Sequence, residues 1–169
     1  MIAPFRLEPL GAHHDRAAFH CGEEALNRYF QTQATQDIRR HVANCFVAVE
    51  VETGLIAGYY TIAAAAIPLI DLPREETRRM PRYPSLPAVR IGRLAVDIRF
   101  QGRGLGAALL ADAAFRTLQA APAVYALLVD AKNEAVAFYR HHGFMTLVSQ
   151  PRTLFLPVAT AQKALLKKA

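Results

Sequence analysis

The chain predicts an α/β fold, a mixed and mostly antiparallel sheet flanked by helices, and two observations carry that expectation. The first half strings β-rich apolar runs around a short polar turn, as antiparallel strands do. The second half alternates strand, helix, strand, helix, strand. With 169 residues, 53% hydrophobic and 20% charged, the chain has the length and composition of one globular domain, 1–169.

The elements follow in order. Phe5–Glu8 reads as a short strand. Glu23 to Arg39 reads as one helix, with Leu26, Tyr29, Phe30 and Gln33 on one face and Glu23 and Glu24 in its first turn. Asn44–Glu50 and Leu55–Ile67 are strands around the turn Glu52-Thr53-Gly54. The segment Pro68–Pro87 holds five of the ten prolines, so it is not continuous regular structure and reads as a long excursion from the core. Ala88–Val96 is a strand, Gly104 to Gln119 a helix rich in Ala and Leu, and Val124–Asp130 an apolar strand. Glu134–His142 is a helix with cations in its last turn and Gly143 at its stop. Phe144–Ser149 and Thr153–Pro157 close the sheet, and a basic helical tail with Lys163, Lys167 and Lys168 ends the chain.

Composition excludes several classes. No apolar run approaches a membrane span, and the start MIAPFRLEPL lacks the basic region and apolar stretch of a signal peptide, so a cytoplasmic protein with no membrane partner is expected. Cys21 and Cys45 have no zinc-like spacing and read as reduced thiols, and no metal is expected. The net charge of +6 points to a polyanionic partner. Six arginines (Arg74, Arg78, Arg79, Arg82, Arg90 and Arg93) fall between Arg74 and Arg93, against Glu75 and Glu76. Solvated surface charge is one reading of such a run. Guanidinium forks also match phosphate oxygens, which makes Arg78, Arg79, Arg82, Arg90 and Arg93 candidate nucleic-acid contacts.

The most informative segment is Gln101-Gly102-Arg103-Gly104-Leu105-Gly106. A helix begins here without Ser, Thr, Asp or Asn at the cap position, so its first N–H groups lack a side-chain acceptor. Glycine inside a helix costs about 0.8–1.0 kcal/mol relative to alanine, yet Gly104 and Gly106 stand in the first turn. An anion on the bare amides explains both features. The alternative is a tight turn with close helix–sheet packing, for which one glycine would serve. No Lys-Ser or Lys-Thr follows, so a P-loop is excluded. Gly102-x-Gly104-x-x-Ala107 fits a dinucleotide fingerprint, but polar residues Asp97 to Gln101 separate it from its strand. Only about sixty residues follow, too few for the second half of that fold.

The glycine turn resembles the cofactor motif of the GCN5-related N-acetyltransferase (GNAT) superfamily, Gln/Arg-x-x-Gly-x-Gly/Ala. A second element at the expected distance resembles that family too: strand Val124–Asp130, then Asn133, then Ala137-Phe138-Tyr139 and Gly143-Phe144. The resemblance implies a GNAT fold with a central strand splay, and acetyl-CoA as cofactor. It places the pyrophosphate on the turn amides of Gln101, Gly102, Arg103, Gly104, Leu105, Gly106 and Ala107. The pantetheine arm would lie along Leu94, Ala95 and Val96, with Asn133 as a further contact. A narrower resemblance spans Phe19 to Pro157. It runs through Phe19-His20-Cys21-Gly22, Ala25-Leu26-Asn27-Arg28-Tyr29, Gly58-Tyr59-Tyr60-Thr61, Pro81-Arg82-Tyr83-Pro84 and Gly92-Arg93-Leu94-Ala95-Val96-Asp97. These stretches are similar to acetyltransferase toxins of bacterial toxin–antitoxin pairs, of the TacT and AtaT kind. That implies acetylation of the α-amino group of aminoacyl-tRNA, a block of translation, a small ribbon-helix-helix antitoxin as partner, and a homodimer. Ala63-Ala64 departs from the pattern, where a serine tends to follow Tyr-Tyr-Thr.

Acyl transfer needs a neutral amine, a stabilised oxyanion and a proton for the departing thiolate. Backbone amides near Leu94–Val96 are the candidates for the oxyanion. Tyr139 is the expected acid, with helix packing against Phe138 as the alternative. Asn133 also stands where a helix cap belongs. His141 and His142 read as helix-end cations and His41 as part of a basic surface. Asp97 and Asp130 end strands, but no carboxylate stands out as a base. An α-amino group with a pKa near 7.7–8.0 needs little help, which favours an aminoacyl acceptor over a lysine side chain near 10.4. Two other functions stay open: an acetyltransferase for a small amine or protein N-terminus, and a non-catalytic acyl-CoA-binding regulatory module.

Overall fold

The computed structural model of the chain describes residues 4–163. Its strands are β1 (Phe5–Pro9), β2 (Asn44–Glu50), β3 (Ile56–Pro68), β4 (Ser85–Val96), β5 (Ala126–Asp130), β6 (Met145–Leu147) and β7 (Gln150–Pro157). The helices are α1 (Glu24–Thr32), α2 (Ala34–Arg39), α3 (Arg74–Thr77), α4 (Leu105–Gln119), α5 (Asn133–His141) and α6 (Val158–Ala161). The strands form a seven-stranded sheet in the order β1-β2-β3-β4-β5-β7-β6. Its described pairs are antiparallel except β4 with β5. The mixed α/β class expected from the sequence is therefore found. No helix among the described residues is long and apolar enough to cross a membrane.

The chain divides into two compact units, Met1–Ala63 with Gly92–Asp112, and Ala64–Ile91 with Ala113–Ala169. The core of the first unit is aromatic. Phe30 stacks on Tyr59 at 4.3 Å between centroids and 7° between planes, and Phe19 meets both rings edge-on. Alternation along β2 turns Cys45, Val47 and Val49 into this cluster. The expected single helix from Glu23 to Arg39 is two, α1 and α2, broken at Gln33. Thr32 Oγ1 donates to the Arg28 carbonyl at 2.6 Å, a back-bond that competes with the helical ladder and bends it. His41, just past α2, takes a left-handed φ of 59°.

In the second unit β5 is buried along all but its last residue, with β4 parallel on one side and β7 antiparallel on the other. A central strand covered on both faces has no polar face to alternate with, so it reads as a continuous apolar run. Ile67, Leu72, Leu86, Ala88, Ala126, Leu128, Leu147 and Phe155 form this unit's core. The proline-rich excursion is more ordered and shorter than the sequence suggests. It contains a 3₁₀ turn at Leu69–Asp71 and the one-turn helix α3, and β4 begins at Ser85. Of the expected basic tail, α6 and Lys163 are described, whereas Lys167 and Lys168 lie outside the described residues.

Candidate active site

The glycine turn joins a 3₁₀ turn at Ile98–Phe100 to helix α4. Its base is Asp97, a fully buried carboxylate that accepts from the His20 and Arg99 amides at 3.0 and 2.9 Å and from the Arg99 guanidinium at 2.8 and 2.9 Å. Burial alone would raise this carboxyl, but these hydrogen bonds outweigh it and hold it below the usual carboxylate range. Asp97 is thus a structural anchor with its oxygens committed, not a base. Gln101 ties down the other side: its Nε2 donates to the Val96 carbonyl at 2.9 Å and to the Cys21 carbonyl at 3.1 Å. Its side chain is occupied by the protein, which leaves its backbone to meet a ligand.

Between these tethers Gly102 and Gly104 take φ of 80° and 78°, while Arg103 and Leu105 do not enter the left-handed region. Alternating handedness of this kind turns successive N–H groups toward one concavity. A Cβ added to either glycine would meet no atom within 4 Å. Close packing therefore does not explain Gly102 and Gly104; their left-handed backbone does, as the tight-turn half of the alternative expects. Gly58 shows what a packing glycine looks like, since a Cβ there would stand 2.9 Å from the Ala95 carbonyl. The turn holds together Val96 and Gln101, while Ala95 is buried and Leu94 and Val96 are half-buried. Leu105 is buried, Ala107 half-buried, and the exposed Arg103 lays its guanidinium 5.3 Å from the Phe100 ring.

Tyr139 belongs to the second unit, on α5. The helix stops at Gly143, φ 95°, with the amide of Phe144 donating to the Tyr139 carbonyl at 3.1 Å and that of Gly143 to Arg140 at 3.0 Å. This is the paired bonding of a glycine-terminated helix end. The usual apolar contact across that end is here Phe144 on Tyr139, rings 5.3 Å apart, with Phe138 edge-on at 5.1 Å. The helix stop thus fixes the ring of Tyr139, which is 6% exposed. Four other tyrosines spend their hydroxyls inside the protein: Tyr29 on Asp37, Tyr59 on the Leu26 carbonyl, Tyr60 on Asp112 and Tyr125 on Glu76. The Tyr139 hydroxyl has no hydrogen-bond partner among the described residues. No sealed-in polar side-chain atom lacks a partner there, so this hydroxyl reaches the surface. Burial of the ring pushes it up to about 12.

Asn133 is the first residue of α5 rather than its cap. The cap position is Lys132, and no side chain bonds the first turn, so the exposed Asn133 amide is not used for capping. Asp130 is taken by two partners, the Thr153 hydroxyl at 2.8 Å and the Arg90 guanidinium. Among the arginines, Arg78, Arg79 and Arg82 are exposed. Arg90 is held by Asp130, and Arg93 lies over the Tyr29 ring at 3.5 Å, so both already have partners of their own. Sequence reasoning missed that the Tyr29 hydroxyl bonds Asp37 at 2.7 Å beneath Arg93; the i,i+8 spacing across a broken helix gave no signal.

Residues 20–154 match the model of the acetyltransferase (GNAT) domain, and the chain belongs to that family. It is 32% identical over 165 residues to a probable toxin TacT of Sinorhizobium fredii, covering 91% of both chains. It is 36% identical over 151 residues to a tRNA-acetylating toxin of Mycobacterium tuberculosis, covering 88% of this chain and 89% of the relative. Among solved structures, a tyrosine-to-phenylalanine mutant of KacT superposes with a TM-score of 0.88 at 28% identity, covering 95% of this chain and 99% of that one. AtaT complexed with acetyl-methionyl-tRNAfMet gives 0.87 at 30% identity, covering 94% and 98%. The glycine turn fits the pyrophosphate of acetyl-CoA: it offers the positive end of helix α4, left-handed glycines and open space where side chains would stand.

Proposed function

We propose that this chain is an acetyl-CoA-dependent N-acetyltransferase toxin that acetylates the α-amino group of aminoacyl-tRNA and so blocks translation, as one domain of 1–169 working in the cytoplasm. The observation that carries the catalytic half is the Tyr139 hydroxyl, outward and unpartnered on a ring fixed by Phe138 and Phe144. The 32% and 36% identities to a probable toxin TacT and a tRNA-acetylating toxin support the aminoacyl-tRNA half.

Acetyl-CoA supplies the acetyl group as an activated thioester. The amides of Gln101–Ala107 would hold its pyrophosphate, Leu94, Ala95 and Val96 would line its arm, and Asn133 would be a further contact. Tyr139 Oη–H would donate to the sulfur of the departing thiolate. With the phenol pushed up to about 12 and a thiol near 8.5, full proton transfer runs uphill, so Tyr139 acts by donating a strong hydrogen bond. No carboxylate is free to act as base at Asp97, and Asp130 is engaged by Arg90 and Thr153. An acceptor that is neutral near pH 7–8 fits that site, and an α-amino group is one. Of the exposed arginines, Arg78 and Arg82 meet RNA phosphates and Arg79 is left as solvated surface charge; Arg90 and Arg93, already partnered, contribute less. A small ribbon-helix-helix antitoxin and a second copy of the chain are the protein partners.

The test is acetyl transfer from labelled acetyl-CoA to total aminoacyl-tRNA. Tyr139→Phe keeps the ring packing and removes one hydroxyl, and is expected to lower kcat by about 10²–10⁴-fold with acetyl-CoA affinity unchanged. The wild-type rate should rise as the amine deprotonates near pH 7.7–8.0 and stay level to about pH 10, because the phenol remains protonated there. A fully active Tyr139→Phe removes Tyr139 from the mechanism. A wild type that acetylates a free amine but not aminoacyl-tRNA replaces the toxin reading with that of a small-amine acetyltransferase.

A further inference from the structure

The excursion between β3 and β4 encloses a pocket of about 320 Å³ lined by Leu69, Arg74, Thr77, Arg78, Met80 and Arg82. Three of its six lining residues are arginines and none is acidic. The arrangement follows from α3 being one turn long. Arg74 and Arg78, four residues apart, share a face with Thr77, whereas Glu75 and Glu76 fall on the other sides. Arg79 is exposed and does not line the pocket.

Two of the nearby acidic groups, Glu76 and Asp71, are drawn off onto the sheet side of the same unit, and Glu75 does not line the pocket. Glu76 accepts from the Tyr125 hydroxyl at 2.7 Å, and Asp71 from the Ser149 hydroxyl at 3.0 Å. Among the described residues, none of Arg74, Arg78 or Arg82 has an ion pair. Like charges at this spacing on a helix repel. A third arginine brought to the same concavity increases the repulsion, and a bound anion would relieve it.

We propose that Arg74, Arg78 and Arg82 form a cradle for a single phosphodiester of the substrate RNA, with Leu69 and Met80 as the apolar wall for its ribose. The pocket is at the small end of ligand-binding cavities, the size of one nucleotide fragment rather than a helix groove. Guanidinium forks grip the two non-bridging oxygens of a phosphodiester bidentately, and the Thr77 hydroxyl adds a neutral donor. This inference rests on the aminoacyl-tRNA reading and says where the backbone is held. It adds Arg74, which the sequence did not single out, and separates Arg79 from its neighbours.

Binding of deacylated total tRNA to the full chain, followed by fluorescence anisotropy across a salt series, tests it. Arg74→Ala and Arg82→Ala are each expected to make the log K against log salt slope shallower by about 0.7–0.9 unit. Arg79→Ala should leave the slope unchanged. Arg74→Lys should keep the slope but weaken binding several-fold, because the charge stays and the fork is lost. Matching circular dichroism melts exclude misfolding. Equal slope changes in Arg79→Ala and Arg74→Ala, or none in either, overturn the cradle. A wild type that acetylates aminoacyl-tRNA while Arg74→Ala keeps its slope also overturns the cradle alone, whereas a wild type that binds no tRNA overturns the underlying reading as well. Loss of acetyl-CoA affinity in Arg74→Ala with an unchanged tRNA slope would give the pocket to a cofactor phosphate and overturn the proposal.

Discussion

Two regions of this chain are proposed to meet anions, and they would do it by opposite means. The glycine turn offers backbone amides and withholds side chains, with Asp97 and Gln101 fastening it from below. The arginine excursion offers side chains on a one-turn helix, fastened through Tyr125 and Ser149. The first is fixed by φ angles and a fully buried carboxylate, the second by exposed, long and rotatable groups. A backbone site should therefore respond to substitution in an all-or-none way and a side-chain site by degrees.

The sharpest way to break this comparison is Gly104→Asp. A carboxylate at the turn would face the pyrophosphate at close range, where two like charges near a protein surface cost about 4 kcal/mol, roughly a thousandfold in affinity. Isothermal titration is expected to detect no acetyl-CoA binding by the folded variant; unchanged affinity would remove the turn from the cofactor site.

Next comes the tether. Asp97→Ala leaves the His20 and Arg99 amides without their acceptor, and a buried group left so costs about 1–3 kcal/mol, measurable by urea titration. Because the Asp97 carboxyl is held below its unfolded value, its stabilisation is complete above about pH 4 and is lost as the pH falls through the depressed folded value. The wild type should lose stability in that acid range faster than the Asp97→Ala variant. Parallel pH curves would show that Asp97 is not the anchor.

The smallest effect belongs to the excursion. Tyr125→Phe removes one hydrogen bond to Glu76, about 1 kcal/mol. It should weaken tRNA binding a few-fold while acetyl-CoA affinity stays the same. A loss as complete as that of Gly104→Asp would mean that the excursion is as rigid as the turn.

How much of this was legible beforehand follows the same division. The glycine turn could be read because its oddity is local: glycines where a helix starts and no capping residue, both visible within six residues. Gly143 likewise announced the end of α5, whereas the packing of Phe144 on Tyr139 appears only in the fold. What could not be read is what depends on distant partners. The commitment of Asp97 to His20, 77 residues away, appears only in the fold. So does the engagement of Arg90 by Asp130 across parallel strands, which no charge count along the chain distinguishes from a free arginine. The break at Gln33 escaped because the apolar face runs straight through it; a threonine hydroxyl, not a change of period, bends the helix there. Arg74 was passed over because a linear run of arginines does not say which of them share one face.

The excursion is anchored by Leu72 and Leu86 in the core and by hydrogen bonds of Val148 and Ser149 to Asp71 and of Tyr125 to Glu76. None of these bonds uses an arginine. Exposed substitutions away from such features usually change stability by no more than about 0.5 kcal/mol, so lineages can reshuffle Arg74, Arg78, Arg79 and Arg82 almost without selection from folding. The turn enjoys no such freedom, since its conformation demands glycine. Over evolutionary time the choice of nucleic acid should drift in this scaffold while the donor chemistry stands still, and divergence among sister sequences should concentrate on that one arc of chain.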